Sequence, residues 1–223
     1  MLKRILMAAA IVLTAHAAQA DTITFEAVTP QSFVYFDGDS FDDGGYQMTV
    51  LGGPGTVDTT VSLPEPLLLL GNETLFFAAY NDAYVSITRP DNQPFRLAGF
   101  DAGFVAPFPV GSGVFAGRVF AFATTVGGGS AFASWELAGS NADGAFSFLT
   151  YDSAPAFAAF GAVTSVQFGA CIYTTQACVS PADNLGQFAL DNINVAVVPE
   201  PSTYALMALG IAGLAWRARR IRR

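Results

Sequence analysis

Carboxylates carry nearly all the chemistry that this chain can perform. Its one histidine, His16, and its one lysine, Lys3, fall within the first 20 residues. The remainder therefore has no imidazole base, no Ser-His-Asp arrangement, no histidine-ligated zinc and no lysine Schiff base. Among the acids, Glu136 in SWELAG has no second acid near it in sequence, so it reads as a rim residue of a strand. The run FDGDSFDDGGY groups Asp37, Asp39, Asp42 and Asp43. Counted from Asp37, an EF-hand loop fails, because Phe41 takes a ligand position, Asp42 stands where glycine is needed and Met48 where glutamate is needed. A solvated acidic turn, binding a cation loosely if at all, is the better expectation.

The elements that must position these groups are short apolar segments rich in Phe, Val, Thr and Tyr, bounded by Gly, Pro, Asn or Asp. TITFEAV, SFVYF, YQMTVLG, TLFFAAY, AYVSIT, FRLAGF, GRVFAFATT, AFASWEL, GAFSFLT, TSVQFGA and QFALDNINV all read as strands. Ten or eleven strands at this spacing predict an all-β fold, a single β-sandwich of jelly-roll or concanavalin-like type. In RVFAFAT, Phe120 and Phe122 share one face while Val119, Ala121 and Ala123 share the other. With both faces apolar, this strand is expected to be central. VGGGS at 126–130 supplies the turn toward AFASWEL, since glycine accepts positive φ without strain.

Both ends are set apart by composition. MLKR, ILMAAAIVL and AHAAQA follow the layout of a secretory signal peptide, with basic Lys3 and Arg4, an apolar centre and an A-x-A site at Ala18-Gln19-Ala20. Cleavage there by signal peptidase leaves Asp21 first. From Tyr204 to Trp216 runs an apolar segment that spans roughly 20 Å as a helix, against roughly 30 Å of bilayer hydrocarbon. It reads as a short, marginal transmembrane helix. The basic tail of Arg217, Arg219, Arg220, Arg222 and Arg223 is held on the cytoplasmic side. The expected organisation is a signal peptide at 1–20, an ectodomain at 21–197 and a C-terminal segment at 198–223. In an exported region Cys171 and Cys178, the only cysteines, are expected to form a disulfide. The alternative, a redox pair, more often has C-x-x-C spacing.

Of the chain's 18 acidic residues, all but Glu200 lie in the ectodomain, whose only basic residues are Arg89, Arg96 and Arg118, for a net charge of about −14. A nucleic-acid partner is excluded on these grounds. An anionic membrane or polysaccharide is repelled unless a divalent cation intervenes.

Val198-Pro199-Glu200-Pro201-Ser202, a short hydrophobic segment and an Arg-rich tail, in that order, resemble the ending of bacterial PEP-CTERM proteins. The resemblance implies recognition by a membrane-embedded exosortase, cleavage near the Pro-Glu-Pro motif, and release or transfer to the cell surface or matrix. A segment held briefly and then removed need not be a strong anchor. Immediately before it, Gln187-Phe188-Ala189-Leu190-Asp191 resembles the PEP-CTERM ectodomain group named for a QFxxD signature. That likeness places the chain without supplying an activity.

Glu26 on the first strand and Asp191 on the last resemble a pair found in carbohydrate-binding jelly rolls, where such acids help hold a structural Ca²⁺. On strict alternation Asp191 shares a face with Ile193 and Val195 and is driven inward, where an unpaired carboxylate is costly. Calcium, hydrogen bonds from backbone N–H groups, or a bulge turning the side chain outward would each relieve that cost. Trp135, Tyr80, Tyr84 and Tyr151 are candidates for stacking on sugar rings, although 20 phenylalanines mark aromatics as mainly core material here. The E-x-D-x-x-E strand motif of concanavalin-like glucanases is absent. Asn72-Glu73-Thr74 matches a glycosylation sequon but reads as a turn. The expected function is a non-catalytic binding or structural role in an exopolysaccharide or biofilm matrix. The alternatives are a self-associating adhesive or coat protein without glycan binding, and a carboxylate-dependent glycan hydrolase or lyase.

Overall fold

Alternating apolar and polar residues build a two-layered β-sandwich. The computed structural model describes residues 20–29, 33–59, 69–105, 115–152, 157–173, 178–179, 186–198 and 201–220. The expected signal peptide up to residue 19, Pro199 and Glu200 of the Pro-Glu-Pro motif, and Arg222 and Arg223 lie outside the described residues. Residues Ala20–Ala196 form one compact unit.

Among the described residues the strands are β1 (Ala20–Ile23), β2 (Val34–Tyr35), β3 (Ser40–Asp43), β4 (Tyr46–Leu51), β5 (Gly55–Asp58), β6 (Leu69–Leu70), β7 (Phe76–Ala79) and β8 (Tyr84–Thr88). They continue with β9 (Phe95–Phe104), β10 (Gly117–Thr125), β11 (Ser130–Leu137), β12 (Phe146–Ser147), β13 (Leu149–Tyr151), β14 (Val163–Tyr173), β15 (Cys178–Val179) and β16 (Phe188–Val197). One layer runs β3-β4-β8-β14-β10-β11, antiparallel throughout. The other runs β2-β5-β7-β16-β9-β13, with β1 added alongside β16. Among the described residues a bridge from Val163 to Phe95 links the layers.

Between the layers lie Tyr46, Phe77, Phe95, Phe100, Phe168 and Phe188, each under 2% exposed. Side chains of this size each contribute roughly 1.5–3 kcal/mol when fully buried. The expected turn at 126–130 forms the β10–β11 hairpin, with Gly128 at φ +77° and the Gly128 N–H donating to the Thr125 carbonyl. β10 is flanked by β11 and β14, as its apolar pattern predicts, but its two faces differ. Val119, Ala121 and Ala123 are fully buried, while Phe122 is 46% exposed on the outer face. The reason is volume. Ala121 sits in register beside Phe168, whose ring fills the inner space that a larger residue on β10 would claim.

The acidic run is not a solvated turn throughout. Ser40–Asp43 is strand β3, paired in register with β4 across Gly44 and Gly45, both at positive φ. Asp43 is buried. Alternation explains this: Phe41 and Asp43 share the inward face, leaving Ser40 and Asp42 outside.

A separate unit contains helix α1, Pro201–Arg220, with Arg217, Arg219 and Arg220 in its last turn. Among the described residues no helix is long and apolar enough to cross a membrane. The segment expected to span is thus helical, with the apolar shortfall that its sequence gives it.

Candidate functional site

Asp191 stands on β16, and strict alternation predicts that it points between the layers. It does not. Phe188 and Leu190 face the core before it, and Ile193 and Val195 face the core after it. Two residues intervene where alternation allows one, and the extra residue, Asn192, adopts φ +47°. This bulge puts Asp191 on the outer side with Ala189, which packs in a small second cluster with Phe76, Ala78 and Val105.

Asp191 is nonetheless fully buried there, covered by the Asn-Glu-Thr turn. Its carboxylate accepts from Asn72 Nδ2 at 2.6 Å, Thr74 Oγ1 at 2.9 Å and the Asn192 backbone N–H at 2.7 Å. Asn72 in turn accepts from the Thr74 N–H at 2.8 Å, closing the turn on itself. Asn192 Nδ2 donates to Asp101 at 2.8 Å, so a second carboxylate stands nearby. Burial is the largest influence on Asp191 and pushes its carboxyl up to about 6, helped by the charge of Asp101 and opposed by the three hydrogen bonds.

Glu26 follows Phe25, a residue at φ +62° whose N–H, with that of Thr24, donates to buried Asp43 at 2.8 and 3.1 Å. Glu26 itself accepts the Leu75 N–H at 2.8 Å. The two acids of the expected calcium pair therefore hold the same short segment, residues 72–75. Both Asp191 oxygens accept from N–H or O–H donors, a set that does not suit Ca²⁺, which takes 6–8 oxygen ligands. Among the described residues no group of three or more His, Cys, Asp or Glu side chains is placed to hold a metal. The acidic run is used similarly: Asp39 accepts the Phe36 N–H and Asp37 the Gly52 N–H, each at 2.8 Å.

Glu136 is paired as well. It accepts from Arg118 Nε at 2.9 Å and from the Tyr173 hydroxyl at 2.6 Å. Burial pushes its carboxyl up, but the bonds from Arg118 and Tyr173 outweigh that and hold it below the usual range. Cys171 and Cys178 are joined by a disulfide that ties β15 to β14.

The four aromatic candidates for sugar stacking do not come together. Trp135 stacks on Phe157 at 5.2 Å and meets Phe100 edge-on at 4.9 Å. Tyr151 packs beside it against the core, and its hydroxyl donates to the Glu136 carbonyl at 2.6 Å. Tyr80 packs on the outer cluster of β7 and β16. Of the four, Tyr84 alone lies on the outer face of the β4-β8-β14-β10-β11 layer, beside the phenylalanines of β10 and β11. Its ring centroid is 5.9 Å from Phe120, and Phe120 is 6.2 Å from Phe132, which is 61% exposed. Phe122 and Phe132 are direct cross-strand partners. The available signal was the alternating F-A-F of β10 facing an F-A of β11, which reads equally well as a core.

Residues 197–220 match the family model described as the PEP-CTERM protein-sorting motif. The chain carries a PEP-CTERM sorting signal. This signal implies processing by an exosortase and an extracellular or surface destination. A search of curated proteins finds no match. Among solved structures, a DUF4465 family protein from Bacteroides caccae superposes with a TM-score of 0.53 at 12% identity, over 81% of this chain and 100% of that one. The CBM22-1 xylan-binding domain from Paenibacillus barcinonensis Xyn10C superposes with a TM-score of 0.40 at 14% identity, over 83% and 99%. The likeness to the DUF4465 protein is one of fold, the β-sandwich.

Proposed function

We propose that this exosortase-processed protein serves as a non-catalytic binding or structural component of the extracellular polysaccharide matrix. The observation that carries this reading is the use made of the carboxylates. Asp191 is sealed from solvent by the 72–74 turn, Glu26 and Asp43 hold backbone N–H groups, and Glu136 is engaged by Arg118 and Tyr173. In a domain without histidine or lysine these are the groups a hydrolase or lyase would need free. The fold employs them as fasteners, and what it leaves facing solvent is an extended sheet surface. The sorting signal delivers that surface to where matrix polymers are.

The test is co-sedimentation of the full chain, held in a mild detergent, with polysaccharide prepared from its own host, in calcium and then in EDTA. Saturable binding in both conditions is expected. Absence of binding in both would remove the matrix role. Binding lost in EDTA would return the acidic groups to consideration as a cation site.

A further inference from the structure

The outer face of the β4-β8-β14-β10-β11 layer places its largest apolar side chains in water. On β10, rings outside and Val119, Ala121 and Ala123 inside reverse the usual arrangement, and the outer rings are contiguous. Tyr84 and Phe120 close over Gly169, where a Cβ would come within 2.5 Å of the tyrosine ring and 2.7 Å of Phe120. Only a glycine lets these two rings meet across β14. Phe132 and Phe122 extend the strip to the sheet's edge strand, β11, at 61% and 46% exposure.

Beside the rings, the same face carries hydroxyl and amide side chains in register. Thr49, Ser86 and Gln167 follow one another across β4, β8 and β14, and Gln167 is the cross-strand neighbour of Phe122. Charge is kept to the margins of this face: Asp42 on the far edge strand, Asp37 at the Gly52 turn beside Tyr84, and Arg118 with Glu136, which neutralise each other, beyond Phe120. On a domain of net charge about −14, an uncharged strip this wide is a selective feature. It has no cations to attract an anionic polymer, and two such domains repel each other.

We infer that this face binds an uncharged polysaccharide chain, stacking the C–H faces of successive sugars on Tyr84, Phe120, Phe122 and Phe132 while Gln167, Ser86 and Thr49 meet their hydroxyls. The inference rests on the matrix-binding reading above and adds its location and ligand class. An uncharged glycan presents both surfaces that match this face, apolar ring faces edged by hydroxyl groups, without requiring charge on either side.

The full chain in mild detergent is run through native gels containing galactomannan, laminarin or hydroxyethylcellulose, with alginate as the anionic comparison. Retardation by at least one neutral polymer and none by alginate is expected. Phe122→Ser with Phe132→Ser should weaken it by about tenfold or more, with the unfolding midpoint unchanged because both side chains are exposed. Phe122→Tyr with Phe132→Tyr should retain it. Retardation by none of the neutral polymers, equal retardation by alginate, or serine variants that bind like the parent would each overturn the inference. So would dimers of the parent that the serine variants abolish, which would make a second copy the occupant. If the serine variants still sediment with host polysaccharide, this site falls and the matrix role stands; if the parent itself does not sediment, the matrix role falls first.

Discussion

At the scale of the residue, Asp191 shows how hydrogen bonds offset part of the cost of a buried acid. Its raised pKa makes it a liability that grows with pH. In the folded state it ionises near 6, whereas unfolded it ionises near the ordinary aspartate value of 3.8. Between those limits the native state binds the extra proton, so the contribution of this group is fully present below about pH 4 and is lost as pH rises through 6, on the order of 3 kcal/mol. Urea denaturation at pH 4, 5, 6 and 7 should show the decline, and Asp191→Asn should flatten it. Removing the acceptor altogether is a different matter. Asp191→Ala leaves the Asn72 and Asn192 donors unmatched and should cost about 1–3 kcal/mol near pH 4, less as pH rises through 6, where it also removes a buried charge. The position of Asp191 on the last strand was legible in the sequence. Its direction was not, because alternation assumes an unbroken strand and nothing in LDNIN marks Asn192 as the residue that takes positive φ, beyond asparagine's general tolerance of it. Asn192→Gly should therefore be nearly neutral through the backbone, apart from losing the bond to Asp101, while Asn192→Val should be strongly destabilising.

Elements were read more reliably than the faces they present. The strand character of β10, β11, β14 and β16, and the glycine turn joining the first two, follow from alternation and turn chemistry. Which side of β10 faces inward does not. Its Phe face carries more apolar area than its Val-Ala face, and area alone would have buried the phenylalanines. The core's volume decides instead, because Phe168 and its neighbours already fill it. Phe122→Leu should leave stability within about 0.5 kcal/mol, whereas Ala121→Leu should cost about 1–3 kcal/mol by overpacking. Both are read from unfolding midpoints, and the opposite ranking would mean that the faces have been assigned backwards. β3 was missed for a related reason. Four aspartates in eleven residues suggest solvent, yet alternation needs only one of them, Asp43, to turn inward, and two backbone N–H groups await it. The disulfide, by contrast, was plain from two cysteines in an exported region. Closing a short loop, it should contribute about 2–3 kcal/mol, seen as a lower unfolding midpoint for the double variant Cys171→Ser, Cys178→Ser.

For the whole molecule, sorting and charge set the working conditions. The PEP-CTERM signal was readable because three features occur in a fixed order, each with its own physical cause: a proline-rich break, an apolar helix too short to anchor firmly, and a basic end. The face proposed to bind glycan was not readable, since it exists only once strands distant in sequence, β4, β8, β14, β10 and β11, lie side by side. Its lack of charge predicts that binding to a neutral polymer changes little between low and high salt, since no ion pairs are there to be screened. The most direct measurement of the central claim is the intact mass and location of the chain in its host, taken by mass spectrometry on protein washed from the extracellular matrix and on the cell fraction. The account predicts a matrix-associated chain that begins at Asp21 and has lost the helix after the Pro-Glu-Pro motif. An unprocessed chain confined to the cell fraction, with none in the matrix, would contradict it.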